Sequence, residues 1–234
     1  MPETRVAKLD WASLAESLDQ RGFTLTSPLL TPAECRGLAG FYGEGDRFRR
    51  RVVMGHHGYG QGEYQYFTYP LPPLVARLRE AFYARLAPIA NRWREMLGEG
   101  GRLPAALDAY LAECHAAGQT RPTPLMLKYG PGDYNRLHQD LYGAHVFPLQ
   151  LTILLSAPEA DFAGGEFVLT EQRPRQQSRV EVVPLQKGEA VIFAVHHRPA
   201  QGAHGFYRAT MRHGVSQLRR GARFTLGIIF HDAA

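Results

Sequence analysis

Cysteine is nearly absent from this 234-residue chain: Cys35 and Cys114 stand far apart and form no Cys-x-x-Cys. That excludes a zinc knuckle or a disulfide framework and fits a reducing compartment. No apolar run reaches the length that spans a bilayer, and the stretch MPETRVAKLDW lacks the charged-then-apolar plan of a secretory signal. A cytoplasmic protein without membrane association is expected. Internal repeats and low-complexity tracts are missing too, which argues against a solenoid or a linker-rich chain. Lysine is scarce beside arginine in a chain of formal net charge +5. Guanidinium forks suit phosphate and carboxylate partners, nucleic acid among them, and suit a solvated face equally well. Charge alone does not choose.

What is present is the composition of a folded domain, 44% hydrophobic and 21% charged, long enough to bury a substantial core. One domain over 1–234 is expected, mainly helical over 1–122 and rich in short strands over 123–234. If the chain divides, it does so near Gln119 to Thr123. In the first half, DWASLAESLDQRG places Trp11, Leu14 and Leu18 at helical spacing before Gly22. Thr31, Pro32 and Glu34 form a capping-box start. Leu74, Leu78, Phe82, Leu86, Ile89 and Trp93 make one long apolar stripe that Pro88 is expected to kink or divide. A further helix is expected over LPAALDAYLAECHAAG. The second half offers PLMLKYG, FPLQLTILLSA, GEFVLTEQ, RVEVVPL, EAVIFAV and ARFTLGIIF, six turn-bounded strands that favour an antiparallel sandwich or jelly roll.

The chemistry concentrates where YGPGDYNRLHQDLYG sets His138 and Asp140 two residues apart. On a strand that spacing puts an imidazole and a carboxylate on one face. A third ligand would complete a two-His-one-carboxylate set, which leaves part of an octahedral Fe(II) open. His-x-Asp alone is weakly specific in a chain with ten histidines. Later, MRHGVSQLRRGARFTLGIIF supplies His213, and then Arg223 and Thr225 on one strand face, a guanidinium fork and a hydroxyl suited to a carboxylate.

This ordered combination resembles the 2-oxoglutarate- and Fe(II)-dependent oxygenases over roughly residues 125 to 231. KYGPGDYNRLHQD and RHGV are similar to the corresponding AlkB segments, and the C-terminal half, with GGEFVLTEQRPR, resembles the prokaryotic nucleic-acid oxygenases related to AlkB. The resemblance implies an α+β fold with a double-stranded β-helix (jelly-roll, cupin-like) core and N-terminal buttressing helices. It implies an Fe(II) site at His138, Asp140 and His213, and 2-oxoglutarate held by Arg223, Thr225 and Tyr129. Ile229 stands where AlkB carries a second arginine, and Leu127 where AlkB carries an asparagine. His213 is preferred over His204 and His231 because its interval to Arg223 matches the pattern. His196 and His197 either line the mouth of the site or form a polar turn; His145 is read as structural, and Gly164-Gly165-Glu166 as an architectural turn.

The implied reaction consumes O2 and 2-oxoglutarate, releases succinate and CO2, and oxidises a substrate C–H. On an alkylated base of DNA it would remove an N-methyl group as formaldehyde. Two other classes fit the same residues: a hydroxylase of a protein side chain or small molecule, and a nucleic-acid-binding module with little turnover. No obligate protein partner is implied. One segment outside the core, RFRRRVVMGHHGYGQGEYQYFTYP, joins Arg49, Arg50 and Arg51 to Tyr64 and Tyr66. It reads either as a nucleic-acid-contacting lid over 47–70 or as a partly buried hairpin.

Overall fold

The structure, a computed structural model, describes residues 1–234. The helices begin and end where local chemistry dictates. α1 (Pro2–Ala7) leads into α2 (Trp11–Arg21), which Asp10 caps by accepting from the Ser13 N–H and which Gly22 ends in the left-handed conformation. α3 (Pro32–Gly40) opens with the reciprocal Thr31–Glu34 capping box. α4 (Pro73–Met96) is one continuous helix, so Pro88 does not divide it. Pro88 and Ala84, whose carbonyl loses its intrahelical donor, are both exposed, so water can satisfy that carbonyl. α5 (Leu107–Ala116) follows as expected.

Four strands come from the first half: β1 (Phe23–Leu25), β2 (Phe48–Val53), β3 (Gly60–Gln61) and β4 (Glu63–Phe67). The second half adds β5 (Leu125–Tyr129), β6 (Tyr134–His138), β7 (Leu149–Leu154), β8 (Phe162–Gly164), β9 (Phe167–Gln172) and β10 (Arg179–Val183). β11 (Ala190–Ala194), β12 (His197–Gly202), β13 (Gly205–Val215), β14 (Leu218–Gly221) and β15 (Arg223–Ile228) complete it. All six strands expected from sequence are present. One sheet runs β1-β11-β7-β15-β5-β4-β2 and the facing sheet β10-β9-β13-β6-β3, with β12 paired to β13 and β14 to β8. This is the expected double-stranded β-helix. No helix is long and apolar enough to cross a membrane.

The region 1–122 carries, besides its five helices, β1, β2 and β4, which are built into the larger sheet. Of the two readings of 47–70, the partly buried hairpin matches the structure and the free lid does not. β2 pairs with β4 and β4 with β5, while the connecting turn sends β3 across to β6 of the facing sheet. The segment is a fixed bridge between the sheets, held by backbone ladders that sequence spacing does not reveal.

Strand alternation divides the interior in two. On β15, Leu226 and Ile228 join the core under the helices, where α4 contributes the fully buried Leu78, Phe82, Leu86 and Trp93. Arg223 and Thr225 on the same strand face the space between the sheets. β7 does likewise, with Leu151 and Ile153 toward the helices and Gln150 and Thr152 on the cavity wall. The helices therefore support the sheet from behind, while its front carries both the polar groups of the cavity and a second apolar cluster, in which Val191 and Phe193 pack with Phe167, Leu169 and Val215 of the facing sheet.

The chain beyond β15 is clamped to α4 by the buried Arg79. Its guanidinium donates to the Ile229 and Phe230 carbonyls at 3.0 Å and to Asp232 at 2.8 Å. Tyr69 and His115 also contact the Asp232 carboxylate, each at 2.9 Å. Removing one member leaves a buried charge uncompensated, so Arg79→Met is expected to cost about 3–5 kcal/mol in urea unfolding. Adding Asp232→Leu should recover part of that loss. A cost below about 1 kcal/mol would mean that Tyr69 and His115 satisfy Asp232 unaided.

Candidate metal centre and active-site cavity

β6 and β13 pair antiparallel with His138 directly opposite His213, which sets their ring centroids 4.2 Å apart. Asp140 completes the cluster. Its Oδ2 lies 3.3 Å from His213 Nε2 and its Oδ1 3.6 Å from His138 Nε2. One ligand atom from each of the three falls within 4.8 Å of the other two. The route differs in detail from the expected one: β6 ends at His138, so Asp140 sits in the following loop rather than two places along a strand. Gln139 secures that exit by donating to the carbonyls of Met211 at 2.8 Å and His196 at 3.1 Å.

Two further side chains aim the carboxylate. Tyr142 donates to Asp140 Oδ1 at 2.6 Å, and Gln150 donates to Oδ2 at 2.8 Å. Burial pushes the Asp140 carboxyl up, but the His213 and His138 contacts and the Tyr142 bond outweigh it and hold the group ionised. Burial pushes His213 down, reinforced by His138, so its imidazole is neutral at pH 7. His138 Nδ1 lies 2.7 Å from the Arg136 carbonyl, which orients the ring and leaves Nε2 toward the cluster. A neutral imidazole, an oriented second imidazole and an ionised carboxylate suit Fe(II) with coordination positions to spare.

The same cavity, about 570 Å³, extends to Arg223, Thr225 and Tyr129. Arg223 is 2% exposed and makes no ion pair, an arrangement costly unless an anion arrives. Its Nε, the Tyr129 hydroxyl, Gln150 Oε1 and His213 Nδ1 are buried without hydrogen-bond partners. Burial pulls the Arg223 guanidinium down to about 10 and pushes the Tyr129 phenol up to about 12. Arg223 and Tyr129 are register partners on β15 and β5, with the guanidinium 5.6 Å from the ring centroid. Gly165, at φ +64°, lets the chain approach: a Cβ there would lie 3.1 Å from the Arg223 side chain. A cation at one end and a metal-type donor set at the other suit a small keto diacid.

The remaining histidines lie elsewhere. His204 is exposed in the β12–β13 turn, while His231 is buried and accepts from the Phe147 N–H at 3.2 Å. His145 meets Gln119 through its backbone. His196 and His197 meet edge to face beside Gln139 and do not line the cavity. Tyr64 lines the cavity wall; Tyr66 is buried behind it and its hydroxyl lies 3.2 Å from that of Tyr142. Arg49 donates to the Pro122 carbonyl at 2.9 Å and lies over the Tyr66 ring, Arg51 pairs with Glu63, and Arg50 is exposed. None of the three reaches the cavity. Tyr142, Gln139 and Gln150 escaped the sequence reading, although a glutamine inside the apolar run FPLQLTILL was a usable signal.

The model of a family described as "Oxygenase, catalysing oxidative methylation of damaged DNA" matches residues 62–233. The uncharacterized protein Rv2227 of Mycobacterium tuberculosis is 52% identical over 168 residues, 72% of each chain. Among solved structures, an oxidoreductase of the 2OG-Fe(II) oxygenase family from Burkholderia pseudomallei is similar at TM-score 0.54 and 17% identity, covering 96% of this chain and 93% of its own. A Pseudomonas putida prolyl-4-hydroxylase is similar at TM-score 0.52 and 14% identity, covering 93% and 96%. These two likenesses establish the fold.

Two outcomes follow from the geometry. Tyr142→Phe removes one bond to the carboxylate and should weaken Fe(II) binding, measured anaerobically by calorimetry, by about 10–100-fold; unchanged affinity would mean that Tyr142 does not aim Asp140. Arg223→Met removes a buried unpaired charge, so its melting temperature without 2-oxoglutarate should equal or exceed that of the parent. A hundredfold excess of 2-oxoglutarate over Kd should raise the parent's melting temperature by about 5–10 °C and leave the variant nearly unmoved. A full shift in the variant would place the anion elsewhere.

Proposed function

Because the chain belongs to the nucleic-acid oxygenase family of 2-oxoglutarate- and Fe(II)-dependent oxygenases, we propose that it removes alkyl groups oxidatively from nucleic-acid bases. The oxygenase chemistry in this reading rests on one observation above all, and the nucleic-acid substrate on the family: the His138, Asp140 and His213 cluster shares a cavity with a buried arginine that pairs with no carboxylate of the chain. In it, the two imidazoles and the carboxylate hold Fe(II), and Arg223 with Tyr129 and Thr225 takes the far carboxylate of 2-oxoglutarate. With both bound, the metal centre supplies oxidation of a C–H bond by O2, coupled to decarboxylation of the keto acid.

The residues provide position and dryness. Arg223 fixes one end of the diacid so that its keto end meets the open side of the histidine pair. Leu125, Leu127 and Ile229 give the walls an apolar lining that keeps bulk water from the reacting atoms. Tyr142 and Gln150 keep both carboxylate oxygens of Asp140 oriented throughout. Oxidation of an N-methyl group gives a hydroxymethyl amine that loses formaldehyde and leaves N–H. The balance is then one O2 and one 2-oxoglutarate consumed, and one each of succinate, CO2 and formaldehyde released.

The test is turnover on a panel of single-stranded oligonucleotides carrying N-methylated bases, with peptides and small acids as comparators. Succinate and formaldehyde should appear in equal amounts with at least one methylated oligonucleotide. Both should vanish in His213→Ala and persist in His204→Ala. Succinate coupled only to a peptide or a small acid would contradict the nucleic-acid reading and leave the oxygenase standing.

A further inference from the structure

The mouth of the cavity carries side chains that the chemistry just described does not use. Tyr59 is 51% exposed and stacks on His57, with centroids 5.3 Å apart and planes at 21°. Leu137 and Leu141 are 47% and 48% exposed, and both line the cavity with Tyr59. Arg136 is exposed beside them, lines the same cavity and makes no ion pair or side-chain hydrogen bond, so its guanidinium is free to meet an anion at the mouth.

The backbone fixes this group against the metal ligands. The Tyr59 carbonyl accepts from the Arg136 N–H at 2.9 Å, and Gly60 pairs with Asn135. A Cβ on Gly60 would sit 2.3 Å from the Tyr134 carbonyl oxygen, so only glycine permits the approach. The stacked rings are therefore tied to β6, the strand that ends in His138. Asp140 is the sole carboxylate lining the cavity, and it is turned inward onto Tyr142 and Gln150. The mouth presents a flat π face, two apolar wedges and one free cation, with no acidic group to repel a phosphate.

We propose that this rim, rather than Arg49 to Arg51, is where single-stranded nucleic acid docks. A base neighbouring the target stacks on the Tyr59–His57 pair, Leu137 and Leu141 contact the strand as the target base enters the cavity, and Arg136 takes a backbone phosphate. Each element matches what single-strand binding needs: a sequence-tolerant stacking platform and a positive contact for the backbone. The assignment rests on the nucleic-acid reading above and locates its contacts.

The test is fluorescence anisotropy of the metal-free full chain with a labelled single-stranded DNA of mixed sequence, measured across a salt series, so that turnover plays no part. Tyr59→Ala should weaken binding by about 5- to 150-fold with an unchanged salt slope, and Tyr59→Phe should bind like the parent. Arg136→Ala should flatten the salt slope by about one unit, while Arg85→Ala on the far face of α4 should not. Thermal melting of each variant checks that these exposed positions leave the fold intact. If the parent binds and both Tyr59→Ala and Arg136→Ala bind equally well, the rim assignment is wrong and the nucleic-acid reading survives. If the parent does not bind single-stranded DNA at all, that reading falls and the rim assignment with it.

Discussion

The antiparallel pairing of β6 with β13 is the constraint on which the site depends. It places His138 opposite His213, residues remote in sequence, at a separation that one metal ion can bridge. Gln139 locks the end of that pairing through two carbonyls, and the loop it fixes delivers Asp140. A slip of one residue in the pairing would turn one imidazole to the opposite face and dissolve the donor set. The same register carries the Tyr59 turn, because β3 is paired to β6.

The second constraint is electrostatic. A folded protein seldom keeps a buried guanidinium without a partner, since burying an unpaired charge costs several kcal/mol. Arg223 is such a group, and its strand lies in the middle of the larger sheet, supported from behind by α4. The stability lost at Arg223 is offset by packing elsewhere, above all by the apolar core beneath the sheet. The architecture follows: the helices, the strand faces they cover and the apolar cluster between the sheets supply stability, and the inward positions lining the cavity carry polar groups that stability alone would not select.

Much of this was legible in the chain. The capping box at Thr31, the Gly22 stop and the alternation of ARFTLGIIF are local signals, and local physics honours them. The candidate ligands His138, Asp140 and His213 and the candidate anchor Arg223 were legible as an ordered motif, and the structure brings all four into one cavity. What escaped was long-range. RFRRRVVMGHHGYGQGEYQYF is compatible with either a lid or a hairpin, and the pairing of β4 with β5, strands far apart in the chain, is what makes it a wall. Pro88 leaves α4 undivided because solvent exposure, a tertiary property, decides whether a helix tolerates proline. Tyr142 and Gln150 acquire their roles only when loop and strand converge on Asp140.

The central claim is that one small diacid is held at both ends, by a metal at the trio and by Arg223 across the cavity. Anaerobic calorimetry of Fe(II) and 2-oxoglutarate, each titrated with and without the other, tests it most directly. If the two meet in this cavity, each must tighten the other by the same factor. The coupling should disappear in Asp140→Ala, and 2-oxoglutarate should weaken in Arg223→Met whether or not iron is present. Independent binding of Fe(II) and 2-oxoglutarate, with no mutual effect, would contradict it.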